Sequence, residues 1–395
     1  MSDNTVMAYT PTQLHAFLLK AIPARENVLI QGPPGVGKTQ IVKQACDAVG
    51  ADSYLFHPVT KEPTDLTGLP KITDNEVRFV PYDVALILAR ATKPTILFID
   101  DLGQSTVAMQ GALMQWVEGG QLDGLKLSPF VGFIGATNRR TDRAGVTGII
   151  EPLKARFTIV EMATALQDFL LMGARRKFHP GILAYLKISP QHLNNFQPTA
   201  DMVNSPNPRN WEAVSRILAM GLPDALQLVP ICGRVGIEAG TAFCAFMKIW
   251  STLADPEHVL ANPKTAAVPT ETSALWALTT SLAEHVRPES MGNLLIYLQR
   301  VLKAGGEEYA AACVKLFTAR DASLRSGKDY VGAMTGPLGR LMLGDDAQQW
   351  TPRYMVRNRV TGSVYCEFAS RSDAETECAR LGGDKFYVAL PGDAS

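Results

Sequence analysis

The chain reads GPPGVGKT at residues 32–39, between the short apolar run NVLIQ (27–31) and TQIVKQACDAV (39–49), which has helical periodicity. These eight residues match the pattern G-x-x-x-x-G-K-[ST]. The strand predicted before them and the helix predicted after them are the context that this motif requires. The glycines let backbone N–H groups close around phosphate oxygens, and the start of the helix adds positive potential. The sequence therefore predicts a nucleotide-phosphate site, formed by Gly32, Pro33, Pro34, Gly35, Val36, Gly37, Lys38, Thr39 and Gln40.

A second motif supplies the acidic groups that such a site needs. Residues 96–101 read ILFIDD, an apolar strand that ends in two carboxylates. Unpaired acids at the end of a buried strand are costly, so a cation beside them is expected. We expect Lys38 to pair with the β and γ phosphates, Thr39 and Asp100 to ligate Mg²⁺, and Asp101 to polarise the attacking water. The alternative for Asp101 is a helix-capping or solvated acid.

The pattern of strands and helices around these motifs predicts an α/β core. Further strands are expected near 53–59, 95–100, 130–137 and 157–162, with a helix at 105–120 and another that begins after Thr10, where Pro11 and Gln13 complete a capping signature. Apolar strands that alternate with helices indicate a parallel sheet covered by helices on both faces.

Beyond residue 165 the strand pattern fades and helical patterns dominate, until strand-like alternation returns near the end of the chain. We predict an ATPase core at 1–165, a helical lid at 166–250, a helical extension at 251–349 and a small ββαβ module at 350–395. The module's strands are expected in YMVRNRVTGSVYCEF (354–368) and KFYVAL (385–390), with its helix in RSDAETECARL (371–381).

Composition narrows the class of protein. Lys and Arg together number 38, as do Asp and Glu, so no overall field draws the chain to nucleic acid or to an anionic membrane. The first residues carry no signal-peptide pattern and no stretch has the length of a membrane span, so we expect a cytoplasmic protein without membrane contact. The six cysteines are scattered without zinc-ligand spacing and are expected to be reduced thiols.

The order of these motifs resembles that of the MoxR-type AAA+ ATPases of the helix-2-insert clade. The likeness covers residues 10–165 and includes PTDLTGLP (63–70), VRFVPYD (77–83), GATNRRTDRAGV (135–146) and EPLKARF (151–157). It implies that LPKITDNEVRFVPYD (69–83) forms the family's inserted β-hairpin. It also places Asn138 at the sensor 1 position, which orients the lytic water; the alternative is a turn residue that follows a strand.

The resemblance further implies roles for two arginines. Arg156 occupies the position of an arginine finger, which reaches the nucleotide of the next subunit in a ring; Arg139, Arg140 and Arg143 are rival candidates. Arg209 resembles the sensor 2 arginine of the lid, and a cation in the first turn of a helix suggests an anionic partner. The alternative for each arginine is an ordinary surface cation.

Three functions follow from these expectations. The first, favoured by the resemblance, is an ATPase that acts as a homo-hexameric ring to remodel a protein partner, such as one with a von Willebrand factor A domain. The second is a nucleic-acid motor or loader, against which the balanced charge counts. The third is a nucleotide-gated scaffold with slow turnover, suggested by Asp101 where a glutamate is common.

Overall fold

A computed structural model describes residues 8–73, 76–81, 83–122, 125–142, 145–199, 201–252, 255–343, 354–358, 364–368 and 386–389. Up to residue 165 its elements are, in order, β1 (Ala8–Tyr9), α1 (Pro11–Ala24), β2 (Val28–Gln31), α2 (Lys38–Val49), β3 (Asp52–Phe56), α3 (Thr64–Thr67), β4 (Leu69–Thr73), β5 (Glu76–Val80), α4 (Asp83–Ala89), β6 (Thr95–Ile99), α5 (Val107–Gly119), β7 (Gln121–Leu122), β8 (Leu125–Lys126), β9 (Val131–Thr137), α6 (Glu151–Lys154) and β10 (Thr158–Met162).

Six of these strands form one parallel sheet in the order β1-β10-β2-β9-β6-β3. The five strands predicted from the sequence are all present, and β1 adds an edge that the sequence pattern did not indicate. The predicted strand at 53–59 is shorter than expected, because β3 ends at Phe56 and Pro58–Thr60 form a single 3₁₀ turn. The α/β core with a parallel sheet is therefore confirmed.

Successive residues of a strand point to opposite faces of the sheet. Both faces of this sheet are apolar, and helices cover each of them. In β6, Ile96 and Phe98 join a buried cluster with residues of α1 and α2, whereas Leu97 and Ile99 join a second cluster with residues of α4 and α5. Nearly continuous apolar strands are typical of parallel sheets that are buried on both sides.

The start of α1 has the capping arrangement that the sequence indicates. The Gln13 N–H donates to Thr10 Oγ1 at 3.3 Å, and the Thr10 N–H donates to Gln13 Oε1 at 3.0 Å. Because Pro11 has no N–H, two of the three N–H groups at the helix start are thereby satisfied.

Two antiparallel hairpins interrupt the alternation of strands and helices. β4 and β5 pair from Leu69 with Val80 to Thr73 with Glu76, at the position predicted for the inserted hairpin. β7 and β8 form a second, shorter pair that the sequence pattern did not indicate.

The rest of the chain is helical up to Leu343, as predicted. Its elements are α7 (Leu166–Arg175), α8 (Pro180–Ile188), α9 (Pro208–Ala219), α10 (Asp224–Val235), α11 (Ile237–Ser251), α12 (Pro256–Ala261), α13 (Thr272–His285), α14 (Met291–Lys303), α15 (Glu307–Arg320), α16 (Lys328–Met334), α17 (Pro337–Leu343), β11 (Tyr354–Asn358), β12 (Val364–Phe368) and β13 (Phe386–Ala389).

The last three strands form an antiparallel sheet in the order β12-β11-β13. The helix predicted at 371–381 lies outside the described residues. Within the described part of the chain, no helix combines the length and the apolar character needed to cross a membrane.

The chain divides into two compact units. The first contains the described residues up to Pro256 together with Pro269–His285 and Lys315–Asp321. The second contains Glu257–Val268, Val286–Val314 and the described residues from Ala322 onward. The domain boundaries inferred from the sequence stay a prediction, and the site described next lies within the first unit.

Candidate functional site

The predicted phosphate loop connects β2 to α2 at the carboxyl edge of the parallel sheet. Gly35 and Gly37 have φ values of 76° and 100°, in the left-handed region that glycine enters without strain. The segment Gly32–Gln40 thus turns sharply and enters the first turn of α2, where unpaired backbone N–H groups favour an anion.

Lys38 lies beneath this loop, with its side chain pointing along it. Lys38 is only 7% exposed. Its Nζ donates hydrogen bonds to Gly32 O at 2.8 Å, Pro33 O at 3.0 Å and Asn138 Oδ1 at 2.9 Å. Burial lowers the pKa of Lys38 to about 8, although the carboxylates of Asp100, Asp101 and Asp142 favour its charged form. An anion bound beside Lys38 would favour the charged form of the amine and raise its pKa again.

Thr39 and Asp100 bring two oxygen ligands together. Thr39 Oγ1 donates to Asp100 Oδ2 at 2.7 Å, across 61 residues of sequence. Asp100 follows β6, and Thr39 lies in the first turn of α2. A hydroxyl and a carboxylate at this spacing fit Mg²⁺, which prefers oxygen ligands and takes only one or two carboxylates beside the substrate phosphates. Held by these two residues, Mg²⁺ would supply positive charge that offsets the charge of a phosphate ligand.

Asp101 and Asn138 complete the polar end of the sheet. Asp101 has φ 57° and ψ 34°, a left-handed conformation that aspartate tolerates better than most residues. Asn138 Nδ2 lies 3.5 Å from Asp101 Oδ1, while its Oδ1 accepts from Lys38. Burial and the neighbouring Asp100 carboxylate raise the pKa of Asp101, opposed by the charges of Lys38, His57 and Arg209. A carboxylate with a raised pKa is suited to accept a proton from water.

The start of α9 contacts the phosphate loop directly. The Arg209 N–H donates to Gly35 O at 3.1 Å. Asn207 caps α9 by accepting from the Asn210 N–H at 2.9 Å, and its Oδ1 would lie 2.7 Å from a Cβ added at Gly35. The exposed Arg209 side chain is close enough to lower the pKa values of both Lys38 and Asp101.

Sequence reasoning did not single out Asn207, although a signal was present. The residues Asn207-Pro208 are a typical cap and first helical position. They predict where α9 begins, but only the folded chain shows that this cap rests on Gly35.

The proposed arginine finger, Arg156, lies at the opposite end of the strands. It precedes β10, whose first residue pairs with Val28 at the start of β2, whereas the phosphate loop follows the end of β2. Its guanidinium forms an ion pair with Glu118 and donates to Pro152 O. Arg156 therefore lies far along the sheet from the phosphate loop of its own chain, and its guanidinium contacts residues of α5 and α6.

The rival arginines differ in their surroundings. Arg139 pairs with Asp142 at 3.2 Å and Glu161 at 3.4 Å, whereas Arg140 is exposed. Arg143 lies outside the described residues. An arginine held by two carboxylates of its own chain is a poor candidate for action on another subunit, so Arg139 fits that role less well than Arg140 or Arg156.

Comparisons with known proteins agree with this architecture. Residues 27–157 match the family model described as AAA domain (dynein-related subfamily). The Holliday junction branch migration complex subunit RuvB from Prosthecochloris aestuarii is 32% identical over 148 residues, which cover 34% of this chain and 36% of that protein. The match thus spans about a third of the length of this curated relative.

Two solved structures are also similar. The RuvB Holliday junction branch migration motor of Thermotoga maritima shares 18% identity, with a TM-score of 0.34, over 75% of this chain and 87% of that one. NtrX from Brucella abortus in complex with ADP shares 16% identity, with a TM-score of 0.38, over 81% and 65% of the two chains. The family match, the parallel sheet and the geometry of the phosphate loop together show that residues 27–157 have the P-loop AAA+ fold.

Proposed function

We propose that this chain binds ATP with Mg²⁺, hydrolyses it in a homo-hexameric ring and uses the energy to remodel a protein partner. The observation that carries the proposal is the meeting of three groups at one edge of the sheet: the buried Lys38 amine, the Thr39–Asp100 oxygen pair and the Asp101–Asn138 pair. A cation, a metal ligand set and a proton acceptor are the groups that phosphoryl transfer to water requires.

Each residue has a separate task in this proposal. The N–H groups of the phosphate loop and Lys38 hold the β and γ phosphates, while Thr39 and Asp100 hold Mg²⁺. Asn138 orients the attacking water and Asp101 accepts its proton, whereas Arg209 and the neighbouring subunit's copy of Arg156 stabilise the charge that develops on the phosphoryl group.

The hairpin of β4 and β5 supports a protein partner. It carries apolar side chains in contact with solvent, among them Ile72 at 79%, Leu69 at 51% and Phe79 at 48% exposure. Covering such side chains with another protein stabilises the complex, whereas a phosphate backbone gives them little apolar contact. This fits the remodelling role implied by the MoxR resemblance, with a von Willebrand factor A protein as one candidate partner.

A nucleic-acid motor is the second candidate function, favoured by the similarity to a subunit of a branch migration complex. It predicts that DNA stimulates ATP hydrolysis and that DNA binding weakens steeply as salt rises. ATP turnover that does not change with added DNA, together with the absence of salt-dependent DNA binding, supports the protein-remodelling function instead.

The primary test compares Lys38→Ala with a matched change on the same helix. Lys38→Ala removes the charge-assisted contacts to phosphate, so we expect the affinity for Mg²⁺-ATP in isothermal titration calorimetry to fall about a hundredfold. Lys43 is exposed on α2, and Lys43→Ala should bind as the wild type does. A wild-type chain that shows no affinity for adenine nucleotides contradicts the proposal, and binding with negligible turnover supports the slow scaffold.

A further inference from the structure

A basic cleft lies in the first unit, at the end of α7 and beside the last turns of α9. Its volume is about 370 Å³, and its charged lining residues are the cations Arg176, Lys177 and Arg216 and the carboxylate Glu212. The chain as a whole carries equal numbers of acids and bases, so this local excess of positive charge stands out.

The two arginines converge on a single carboxylate oxygen. Arg176 Nη1 lies 3.2 Å and Arg216 Nη1 lies 3.3 Å from the same Glu212 Oε1. One carboxylate compensates one of these charges, which leaves the cleft positive even before Lys177 is counted. The side chain of Arg216 is 62% exposed, so its planar fork remains accessible to a second carboxylate.

Lys177 occupies a position where glycine is usual. The Phe178 N–H donates to Gly173 O at 2.8 Å and the Lys177 N–H to Ala174 O at 3.1 Å, which is the bonding of a Schellman motif at the end of α7. Lys177 has φ 57°, in the left-handed region. Glycine would form this turn without strain, and strained residues concentrate where a side chain has a function.

A helix-dipole role is the structural alternative for these cations, but it does not explain Lys177. Arg175 already places a cation in the last turn of α7. Lys177 lies two residues beyond Arg175 and outside the helix, so the dipole of α7 gives little account of a lysine in this strained turn.

We propose that the cleft binds a carboxylate-rich segment of the protein on which the ATPase acts, which rests on the remodelling function proposed above. Binding there would attach the partner to the helices that follow the ATPase core. Arg176 and Arg216 converge on one point, which suits a carboxylate group in a small cleft. A nucleic-acid duplex is matched instead by a row of cations along its backbone.

The test measures binding of a fluorescein-labelled peptide of alternating glutamate and aspartate to the full chain, by fluorescence anisotropy at low ionic strength. We expect Arg216→Glu to weaken binding about tenfold or more, because it reverses a charge in direct reach of the ligand. Lys177→Gly should weaken binding several-fold without lowering the melting temperature, because glycine relieves the strained turn.

Lys303→Glu is the matched control, since Lys303 is an exposed cation in the last turn of another helix, α14. It should bind the peptide as the wild type does. Equal losses in Lys303→Glu and Arg216→Glu, or full affinity in Lys177→Gly, would overturn the proposal. Displacement of the peptide by duplex DNA at lower concentration than by unlabelled peptide would overturn it in favour of nucleic acid.

ATP hydrolysis by the same preparations separates this inference from the proposed function. Both cleft variants should hydrolyse ATP at the wild-type rate, because neither residue contacts the nucleotide site. A chain that hydrolyses ATP but binds the peptide equally well with Arg216→Glu refutes the cleft alone. A chain that binds the peptide through Arg216 but hydrolyses no ATP refutes the proposed function alone.

Discussion

Lys38 illustrates how one buried side chain can be prepared for an anion. Its ammonium group donates hydrogen bonds to two backbone carbonyl oxygens and to Asn138 Oδ1. The nearby carboxylates favour its charged form at longer range. Its lowered pKa records a desolvation cost that neutral acceptors offset only in part. Phosphate oxygens can offset the rest, so we expect this amine to contribute strongly to nucleotide affinity.

The proposed proton acceptor, Asp101, can be tested by a substitution of nearly the same size. Asp101→Asn keeps the size of the side chain but removes the proton acceptor, so we expect nucleotide affinity to stay near wild type while ATP turnover falls about a hundredfold. Single-turnover kinetics with calorimetric binding separates the two effects. Unchanged turnover would reduce Asp101 to a structural acid, the alternative that its left-handed backbone also allows.

The start of helix α9 contacts the phosphate loop through its cap. Asn207→Ala removes the bond from the Asn210 N–H and should lower the free energy of unfolding by about 1 kcal/mol. ATP turnover should fall as well, because Arg209 is held at the loop by the same helix start. Urea unfolding and steady-state ATPase assays measure these effects, and Asn207→Ser, which keeps a capping oxygen, is the control. A loss of stability with full turnover would show that the cap is purely structural.

The cap of α8 makes stability depend on pH. His179 Nδ1 accepts from the Gly181 N–H at 3.1 Å, and burial lowers the pKa of His179 below its ordinary value of 6.5. The unfolded chain therefore binds a proton more readily than the folded chain. The free energy of unfolding should fall as the pH drops below 6.5.

The check on that prediction is the variant His179→Asn, which retains a capping oxygen that does not titrate. Unfolding free energies of both chains, measured from pH 7.5 down to about pH 5 across the histidine range, should differ in slope, with the wild type the steeper. Parallel curves would contradict the role assigned to His179.

The proposed ring makes a prediction about contacts between chains. Arg156 lies at the end of the sheet away from the phosphate loop, so any nucleotide that it contacts has to be bound by another chain. Arg156→Ala should leave nucleotide binding intact and lower turnover of the assembled ring about a thousandfold.

Mixing variants tests that expectation. Arg156→Ala and Lys38→Ala chains should each be inactive alone, and a mixture should recover turnover where an intact site meets an intact arginine. Glu118→Gln, which removes the ion-pair partner of Arg156 but keeps the arginine, should remain active. Full activity of Arg156→Ala would mean that another arginine acts on the neighbouring nucleotide. The exposed Arg140 would then be the next residue to test.

Local pattern was sufficient for much of this protein. The loop at 32–39, the apolar strands and the Thr10 cap each depend on residues within a few positions of one another, so the sequence alone predicted the α/β core and the confirmed capping box. Periodicity could not predict β1 or the hairpin of β7 and β8, since each strand has only two residues.

Only the tertiary structure decided which distant residues meet. Lys38 bonds to Asn138 across 100 positions because β2 and β9 are neighbours in the sheet, an order that no local pattern encodes. The contact of α9 with Gly35 and the ion pair of Arg176 with Glu212 depend in the same way on helix packing. Backbone propensity and hydrophobic period act over a few residues, whereas the positions of charges in space are set by burial of the whole core.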